Sequence, residues 1–220
     1  MSKHLLILLA LVVCCAMWSC TDNTKKNEKV EVTPQATKVE KTKPHCRILI
    51  QPYDGFSQER AEEVAKQLKN TLDKYVTGLA VTEVKVLPNK QLTADLMNDA
   101  KTRYRASKIL DWQQGLLQQS SDAVVGLTDN DISTSAHGYK DWGILGLSYL
   151  NKNNCVISTF RVKDKTQFWK VVLHEFGHAF LGLDHCPNND RTCFMIDDDG
   201  KPDLPKEYHF CDSCTKLLPN

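Results

Sequence analysis

The sequence has no long apolar run beyond its first twenty residues. We therefore expect no membrane span in the body of the chain, because a transmembrane helix needs about 20 consecutive apolar residues. It also has no basic stripe with interleaved aromatic residues, and its formal net charge is only +1, so nucleic-acid binding has no support. No internal repeat occurs. Residues 45–220 are of ordinary single-domain size and can bury a core, which favours one globular domain that we expect to be a monomer.

The N-terminus has the features of an export signal. Residues 1–4 are short and basic, and residues 5–17 are almost wholly apolar but too few to span a bilayer. We predict a secretory signal peptide over residues 1–19. The junction at residues 17–20 resembles a bacterial lipobox, which implies cleavage before Cys20 and attachment of lipid to its sulfur. Simple secretion without lipid is the alternative.

Residues 20–44 are predicted to form a flexible, lipid-anchored linker. The stretch is rich in Lys, Glu and Thr, contains Pro34 and Pro44, and has no aromatic residue and no Gly. It cannot bury enough apolar surface to offset the entropy cost of folding. We therefore expect an exported protein that is held on the periplasmic or cell-surface side of a bacterial membrane through its N-terminal lipid alone.

The patterning of residues 45–220 predicts an α/β (α+β) fold. Short apolar or alternating runs indicate strands, and apolar residues at helical spacing indicate helices. Strands that alternate with helices favour a mixed sheet with helices packed on it. The predicted strands cover residues 47–51, 81–86, 122–127, 144–149 and 155–162, and the predicted helices lie between Ser57 and Gly78 and over residues 104–117 and 168–181.

The third of these helices carries the pattern His-Glu-x-x-His. His174 and His178 lie four residues apart, so they point the same way from successive turns and can bind one zinc ion, with Glu175 beside the metal as a general base. A catalytic zinc needs a third protein ligand and an open position for water. The pattern is typical of a peptidase that hydrolyses peptide bonds with a metal-bound water.

The third ligand has two candidates. The metzincin superfamily of zinc peptidases carries His-Glu-x-x-His-x-x-Gly-x-x-His, whereas three residues, 179–181, separate His178 from Gly182 here. If the spacing from the glycine decides, His185 binds the zinc; if the distance from His178 decides, Asp184 does. We expect His185, with the extra residue taken up by a further helical step or a local bulge.

The residues that follow make the resemblance narrower. In order come His-Cys, Cys-x-Met and Cys-x-x-Cys, which resembles the archaemetzincins. The resemblance implies a metzincin-like mixed sheet with an active-site helix (45–185), followed by a part with a Met-turn and many cysteines (186–220). It also implies a second, structural zinc held by four cysteines and a Met-turn residue beneath the catalytic metal; these are Cys186, Cys193, Cys211 and Cys214, and Met195.

The spacing of the cysteines departs from that family. Six residues separate Cys186 from Cys193, a longer gap than is usual there, and fifteen separate Met195 from Cys211, a shorter one. The chain is therefore a divergent member by resemblance. Four thiolates make a closed tetrahedral zinc site, but an oxidising compartment favours disulfides instead. We expect zinc, because Cys-x-x-Cys closes only a small, strained disulfide ring.

Several features stay open at this point. Cys46 and Cys155 could pair across neighbouring strands or remain buried thiols. Residues 143–148 resemble the strand above the metzincin cleft, which would bind a peptide by strand addition, but a plain core strand is equally compatible. The remaining histidines have no partner spacing and are expected in surface or turn positions; they include His45, His137 and His209.

The predicted function is a zinc-dependent peptidase acting on a peptide or protein substrate, with endopeptidase and aminopeptidase activity both allowed. It would use one catalytic and one structural zinc ion. The alternative is a non-catalytic surface lipoprotein, a binding module with structural metal only. Retention of Glu175 argues against that alternative, since a structural zinc needs no general base.

Overall fold

A strand buried along its whole length forms the centre of the fold. In the computed structural model, which describes residues 43–197 and 201–220, this strand is the third of a five-stranded sheet with order β2-β1-β4-β8-β7. Four strands are parallel, and β7 runs antiparallel to β8. The strands are β1 (His45–Pro52), β2 (Ala80–Val86), β4 (Asp122–Thr128), β7 (Gly146–Ser148) and β8 (Asn154–Ser158).

Helices cover both faces of this sheet, as parallel strands require. One face packs against α1 (Gln58–Tyr75) and α3 (Phe168–Ala179), and the other against α2 (Ala106–Gln113). α1 begins at Ser57, whose hydroxyl accepts from the backbone N–H of Arg60, the capping bond that Ser at this position provides. α3 lies beside β8 and β7, so its exposed end meets the edge of the sheet.

A second, smaller sheet lies beyond that edge. It contains β3 (Tyr104–Arg105), β5 (Ile132–Ala136) and β6 (Tyr139–Ile144) in the order β3-β5-β6. β5 and β6 form a hairpin around His137 and Gly138, which both have positive φ, 51° and 78°. Such a two-residue turn matches the right-handed twist of the flanking strands.

The predicted mixed sheet with packed helices is confirmed, but the second sheet was missed. The predicted helix over 104–117 is shorter, because its first two residues pair with β5 as β3 and its end tightens into a 3₁₀ turn at Gln114–Leu116. The predicted strand over 155–162 ends at Ser158. There the serine hydroxyl accepts from the backbone N–H of Phe160, and such a local side-chain bond turns the chain out of the ladder.

The predicted signal peptide (1–19), the lipidation site Cys20 and nearly all of the predicted linker lie outside the described residues. Within the described ranges, no helix is long and apolar enough to cross a membrane. Residues 201–220 contain a 3₁₀ turn at Leu204–Lys206 and the short helix α4 (Asp212–Thr215). They bury Phe210 and Leu218 against the main core, so this segment packs onto the rest of the domain.

A buried carboxylate fixes the start of β4. Asp122 has no exposed side-chain surface and accepts two hydrogen bonds from Arg47, at 2.8 Å from Nε and 2.7 Å from Nη2. It also accepts from the backbone N–H groups of Gln118 and Gln119. The Arg47 guanidinium, aided by those two amides, lowers the pKa of Asp122 to about 2. Asp122 therefore ties β1, β4 and the preceding loop together as a carboxylate.

We expect Asp122→Asn to destabilise the protein at neutral pH but not in strong acid. An aspartate whose pKa falls from an unfolded value near 3.9 to about 2 stabilises the fold fully above pH ~4, and this contribution is lost as the pH falls through 2. Urea unfolding of both proteins from pH 7 down to pH 2 should therefore show a gap in unfolding free energy that closes between about pH 4 and pH 2. Asp73→Asn, in an exposed pair with Lys69, is the control and should show almost no gap. An Asp122→Asn gap of equal size at both ends of the range would contradict this account.

Candidate active site and metal-binding groups

Two histidines of α3 turn the same edge of their rings toward one point. The Nε2 atoms of His174 and His178 lie 3.0 Å apart. Their Nδ1 atoms face backbone carbonyls, that of Phe194 at 2.9 Å and that of Leu183 at 2.5 Å. A ring that donates its Nδ1–H to a carbonyl keeps a lone pair on Nε2, and this is the tautomer that a metal requires.

The end of α3 accommodates the extra residue of the motif by widening its hydrogen-bond pattern. Phe180 N–H donates to the carbonyl of Phe176, as in an ordinary helix, and Leu181 N–H reaches the same carbonyl at 3.5 Å, one residue further. Leu183 N–H then donates to the carbonyl of Gly177, two residues further than a helical bond. The insertion is therefore a local bulge at the helix end, one of the two solutions that the sequence allowed.

Gly182 then reverses the chain with a φ of 67°. A Cβ at this position would lie 2.5 Å from Oδ1 of Asn151, so both the backbone angle and the close approach require glycine. The turn between β7 and β8 closes the helix end from the other side. Asn151 and Asn153 donate their backbone N–H groups to the carbonyls of His178 and Ala179, which would otherwise be left without a helical partner.

This reversal brings His185 to the other two histidines. Its ring lies 5.3 Å from that of His174 and 4.8 Å from that of His178, between centroids. The three residues each offer a nitrogen within 4.8 Å of the others, whereas Asp184 is exposed and belongs to neither metal-binding group among the described residues. The Nδ1 of His185 also faces a carboxylate oxygen of Asp197 at 3.4 Å.

The histidine group fits a zinc ion on the chemistry of its donors. Three neutral imidazoles are a known ligand set for catalytic zinc. Burial, with a contribution from the neighbouring His174, lowers the pKa of His178 below its ordinary value, so this ring stays neutral and able to bind a metal. Two Nε2 atoms at 3.0 Å with both Nδ1 atoms committed to carbonyls are best matched by one shared cation.

Glu175 lies in a seat formed by β7. Ser148 donates its hydroxyl to Oε2 of Glu175 at 2.5 Å. A Cβ on Gly146 would lie 2.7 Å from Cγ and from Oε1 of Glu175, so the absence of a side chain there makes room for the carboxylate. Burial raises the pKa of Glu175, and the Ser148 bond opposes that shift. The sequence reasoning did not find this seat; Gly-x-Ser in an edge strand was its only signal.

Met195 packs under the motif helix, where the resemblance places the Met-turn residue. It is fully buried, and its sulfur would lie 2.6 Å from a Cβ at Gly177. Its carbonyl accepts the backbone N–H of Cys186 at 2.7 Å, and the carbonyl of the preceding Phe194 faces His174. The Met195 turn therefore touches the floor of the histidine group and also the first cysteine of the second group.

The second group consists of four buried cysteine sulfurs that lie within 4.8 Å of one another. Cys186 and Cys211 have sulfurs 3.5 Å apart, and Cys193 and Cys214 have sulfurs 3.7 Å apart. A disulfide would require about 2.05 Å, and four thiolates around zinc, each near 2.3 Å from the metal, give separations close to those seen. Burial raises the pKa of the Cys193 thiol to about 11 and also raises that of Cys214, because a buried thiolate needs a cation beside it.

Cys46 and Cys155 do not pair. Both are free and buried, and they lie on β1 and β8, which β4 separates in the sheet. Since neighbouring strands are about 4.8 Å apart, two strands of separation place these residues beyond the Cα distance that a disulfide spans. The alternative of pairing across neighbouring strands was wrong.

The histidine group and Glu175 open into a cleft of about 430 Å³. Residues of β6 and β7 form one wall, and the other wall includes Ile196, Pro202 and Leu204. β7 lies at the edge of the sheet, which decides between the edge strand and the core strand that the sequence left open. His137, expected in a surface or turn position, does occupy a turn but also lines this cleft.

Comparison with known proteins narrows the class of protein. No protein-family model matches the chain. The chain is 25% identical over 171 residues to the archaemetzincin of Halobacterium salinarum, covering 71% of this chain and 94% of that protein. It is 30% identical over 129 residues to the archaemetzincin of Nanoarchaeum equitans, covering 56% of this chain and 66% of that protein. The crystal structure of archaemetzincin from Methanopyrus kandleri matches with a TM-score of 0.62 and 27% identity, over 80% of this chain and 94% of that one.

Likeness in both sequence and fold to these proteins, together with the histidine and cysteine groups, defines the chain as a zinc metallopeptidase. Within that class it is archaemetzincin-like, and its metal is zinc. The alternative of a non-catalytic binding module with structural metal only has no support from these relatives.

Proposed function

We propose that this peptidase hydrolyses its substrate with Glu175 as general base, and that His174, His178 and His185 hold the catalytic zinc. The observation that carries the proposal is the convergence of three imidazoles within 4.8 Å, with Glu175 on the same helix and in the same cleft. When bound, zinc supplies a Lewis acid that polarises the scissile carbonyl and makes water acidic near neutral pH.

Glu175 would accept the proton of the attacking water and deliver it to the leaving amine. For this task the carboxylate must be ionised and fixed. The hydroxyl of Ser148 donates to Oε2, which stabilises the ionised form and restricts rotation of the side chain. Gly146 leaves the space that the other oxygen occupies. Ser148 is thus a positioning residue that acts through Glu175.

The edge of β7 would hold the substrate backbone. β7 pairs with β8 along one side only, through Gly146, Leu147 and Ser148, and no described strand pairs with its other side. A peptide in extended form can add there as a further strand, with backbone hydrogen bonds that do not depend on its sequence. This placement sets the peptide bond above Glu175, since β7 itself contacts that side chain.

We also propose that the four cysteines bind a second, structural zinc. The support is the separation of their sulfurs and their complete burial, which suit a closed site without an open position for water. Such a site would tie residues 186–195 to the segment around α4. Because Cys186 directly follows His185, the same tie restrains the third histidine.

Export and lipid attachment at Cys20 remain part of this proposal. Their support is the sequence of residues 1–20, with its basic start, short apolar run and lipobox-like junction. An enzyme tethered through residues 20–44 would act close to a membrane surface without inserting its folded domain.

His185→Ala should remove the catalytic zinc and with it peptide turnover, whereas Asp184→Ala should change neither. His185 is within reach of the other two imidazoles and Asp184 is not. Zinc per chain is measured by atomic spectroscopy beside turnover of a mixed peptide substrate, with and without a chelator. The assignment fails if only the Asp184 change removes zinc, and the peptidase mechanism fails if chelated and metal-loaded protein turn over peptides equally.

A further inference from the structure

The β5–β6 hairpin carries a cluster of aromatic rings at one end of the cleft. Trp142 lies against His137, with ring centroids 5.0 Å apart, and stacks with Tyr139 at 5.6 Å and an interplanar angle of 29°. Trp142 is 39% exposed and Tyr139 63% exposed. These three residues, which we call the aromatic platform, leave a large apolar surface in contact with solvent, and such a surface on a stable domain marks a binding site.

The aromatic platform is continuous with the active site. His137 and Trp142 line the same cleft as His174 and Glu175. Only four residues of chain separate Trp142 from Gly146, which contacts Glu175. At about 3.3 Å per residue this is at most ~13 Å, the length of about four residues of an extended peptide. A substrate lying along β7 would therefore bring a side chain over the platform within about four residues of the bond that is cut.

The hairpin is held rigidly from below. Arg103 donates to the backbone carbonyl of Asp141 at 3.0 Å, and Arg105 donates to that of Lys140 and to the hydroxyl of Ser135. These bonds fix both strands of the hairpin close to its turn. A binding surface that is already ordered loses little entropy when it is occupied, so its contacts contribute more fully to affinity.

Charge near the platform favours a neutral occupant. The guanidinium of Arg161 lies against Gly143, where an added Cβ would be 2.2 Å from Nη2, and Arg103 and Arg105 lie behind the hairpin. Three guanidinium groups here pair with two carboxylates, those of Asp131 and Asp141. The excess positive charge disfavours a cationic side chain, although aromatic faces alone would accept one.

We propose that the aromatic platform is the specificity subsite of this peptidase, and that it takes an aromatic or large aliphatic side chain of the substrate within about four residues of the scissile bond. The proposal rests on the proposed function, because it assumes that a peptide lies along β7. It names a substrate class that the zinc site itself does not select. Trp142 is its central contact, since it touches both other rings.

The test uses one peptide series in which Phe, Leu, Lys, Asp or Ala stands at each position up to four residues on either side of the cut. For the wild-type protein we expect kcat/KM to be about 10-fold higher for Phe or Leu than for Ala at one position. Trp142→Ala should reduce that ratio to near 1, and Trp142→Phe should keep most of it. Trp112→Ala is the matched control: this tryptophan is 38% exposed but belongs to α2, and its loss should leave the ratio unchanged.

A second arm measures the Kd of the same peptides for the Glu175→Gln protein, alone and with Trp142→Ala added. A preference in Kd that Trp142→Ala removes supports the platform even if no peptide is hydrolysed, and in that case only the catalytic proposal fails. Hydrolysis with no side-chain preference, a preference that survives Trp142→Ala, or a preference for Lys overturns the platform and leaves the peptidase standing. Absence of both binding and turnover overturns both.

Discussion

Glu175→Gln should lower kcat by at least about 100-fold, within the range of about 10² to 10⁴ that general acid–base catalysis contributes, and should leave zinc content at the wild-type level. Glutamine keeps the shape of the side chain and can still meet the hydroxyl of Ser148. It cannot accept a proton at neutral pH. The ligand group is untouched, because it consists of His174, His178 and His185. The measurement is single-substrate peptide kinetics beside zinc stoichiometry.

The control for this change is Glu62→Gln, an equal change of charge on the exposed side of α1. It should alter neither kcat nor zinc. If Glu175→Gln retained wild-type kcat with zinc bound, another group would have to be the base and the proposed mechanism would be wrong. If it lost zinc as well as activity, the carboxylate would be serving the metal site instead of the proton transfer.

Cys214→Ser should remove one of two zinc ions per chain and lower the melting temperature by about 10 °C or more. A structural zinc contributes its binding free energy to folding, and for a domain of this size each kcal/mol of lost stability lowers the melting temperature by roughly 2–4 °C. Cys214 is buried and its sulfur lies 3.7 Å from that of Cys193. Loss of this ligand opens the site that ties α4 to the turn before it.

The matched control is Cys46→Ala, a change at a buried cysteine outside the sulfur group. It should keep two zinc ions per chain. Mass after alkylation under denaturing, non-reducing conditions separates the zinc site from its disulfide rival. All four cysteines should be alkylated once the metal is removed; two disulfides per chain, with a melting temperature that responds to reductant and not to chelator, would show that the sulfur group holds no zinc.

The sequence was sufficient for the parts of this molecule that depend on one element at a time. The helix with His174, Glu175 and His178 follows from a local periodicity, and the buried strand before it, now β4, follows from an unbroken apolar run. The order of strands and helices then implied a mixed sheet, since that is the arrangement in which such strands are buried on both faces.

The β5–β6 hairpin could not be predicted with the same rules. Its first strand reads Ile-Ser-Thr-Ser-Ala, which is mostly polar, and its turn is His137-Gly138 and not one of the commoner Asn-Gly or Asp-Gly pairs. The strand is stabilised from outside, by Arg103 and Arg105 and by pairing with β3. Long-range partners of this kind leave no periodic trace in the segment itself.

The seat of Glu175 and the choice of third histidine were hidden for a related reason. Ser148 and Glu175 are 27 residues apart in sequence, and nothing local to either announces the contact. The position of His185 depends on how the end of α3 widens and on the turn at Asn151 that closes it. Spacing rules count residues along one segment, whereas both outcomes depend on a second segment.

The close approach of Gly177 to Met195 has a consequence for how such chains can vary. Gly177 is one of the two unspecified positions of His-Glu-x-x-His, yet the sulfur of Met195 fills the space where its Cβ would be. A larger residue at 177 would require a smaller one at 195 or a displaced helix, since Met195 is fully buried and cannot swing aside. The two positions therefore behave as one unit of substitution, and relatives should exchange bulk between them as a pair.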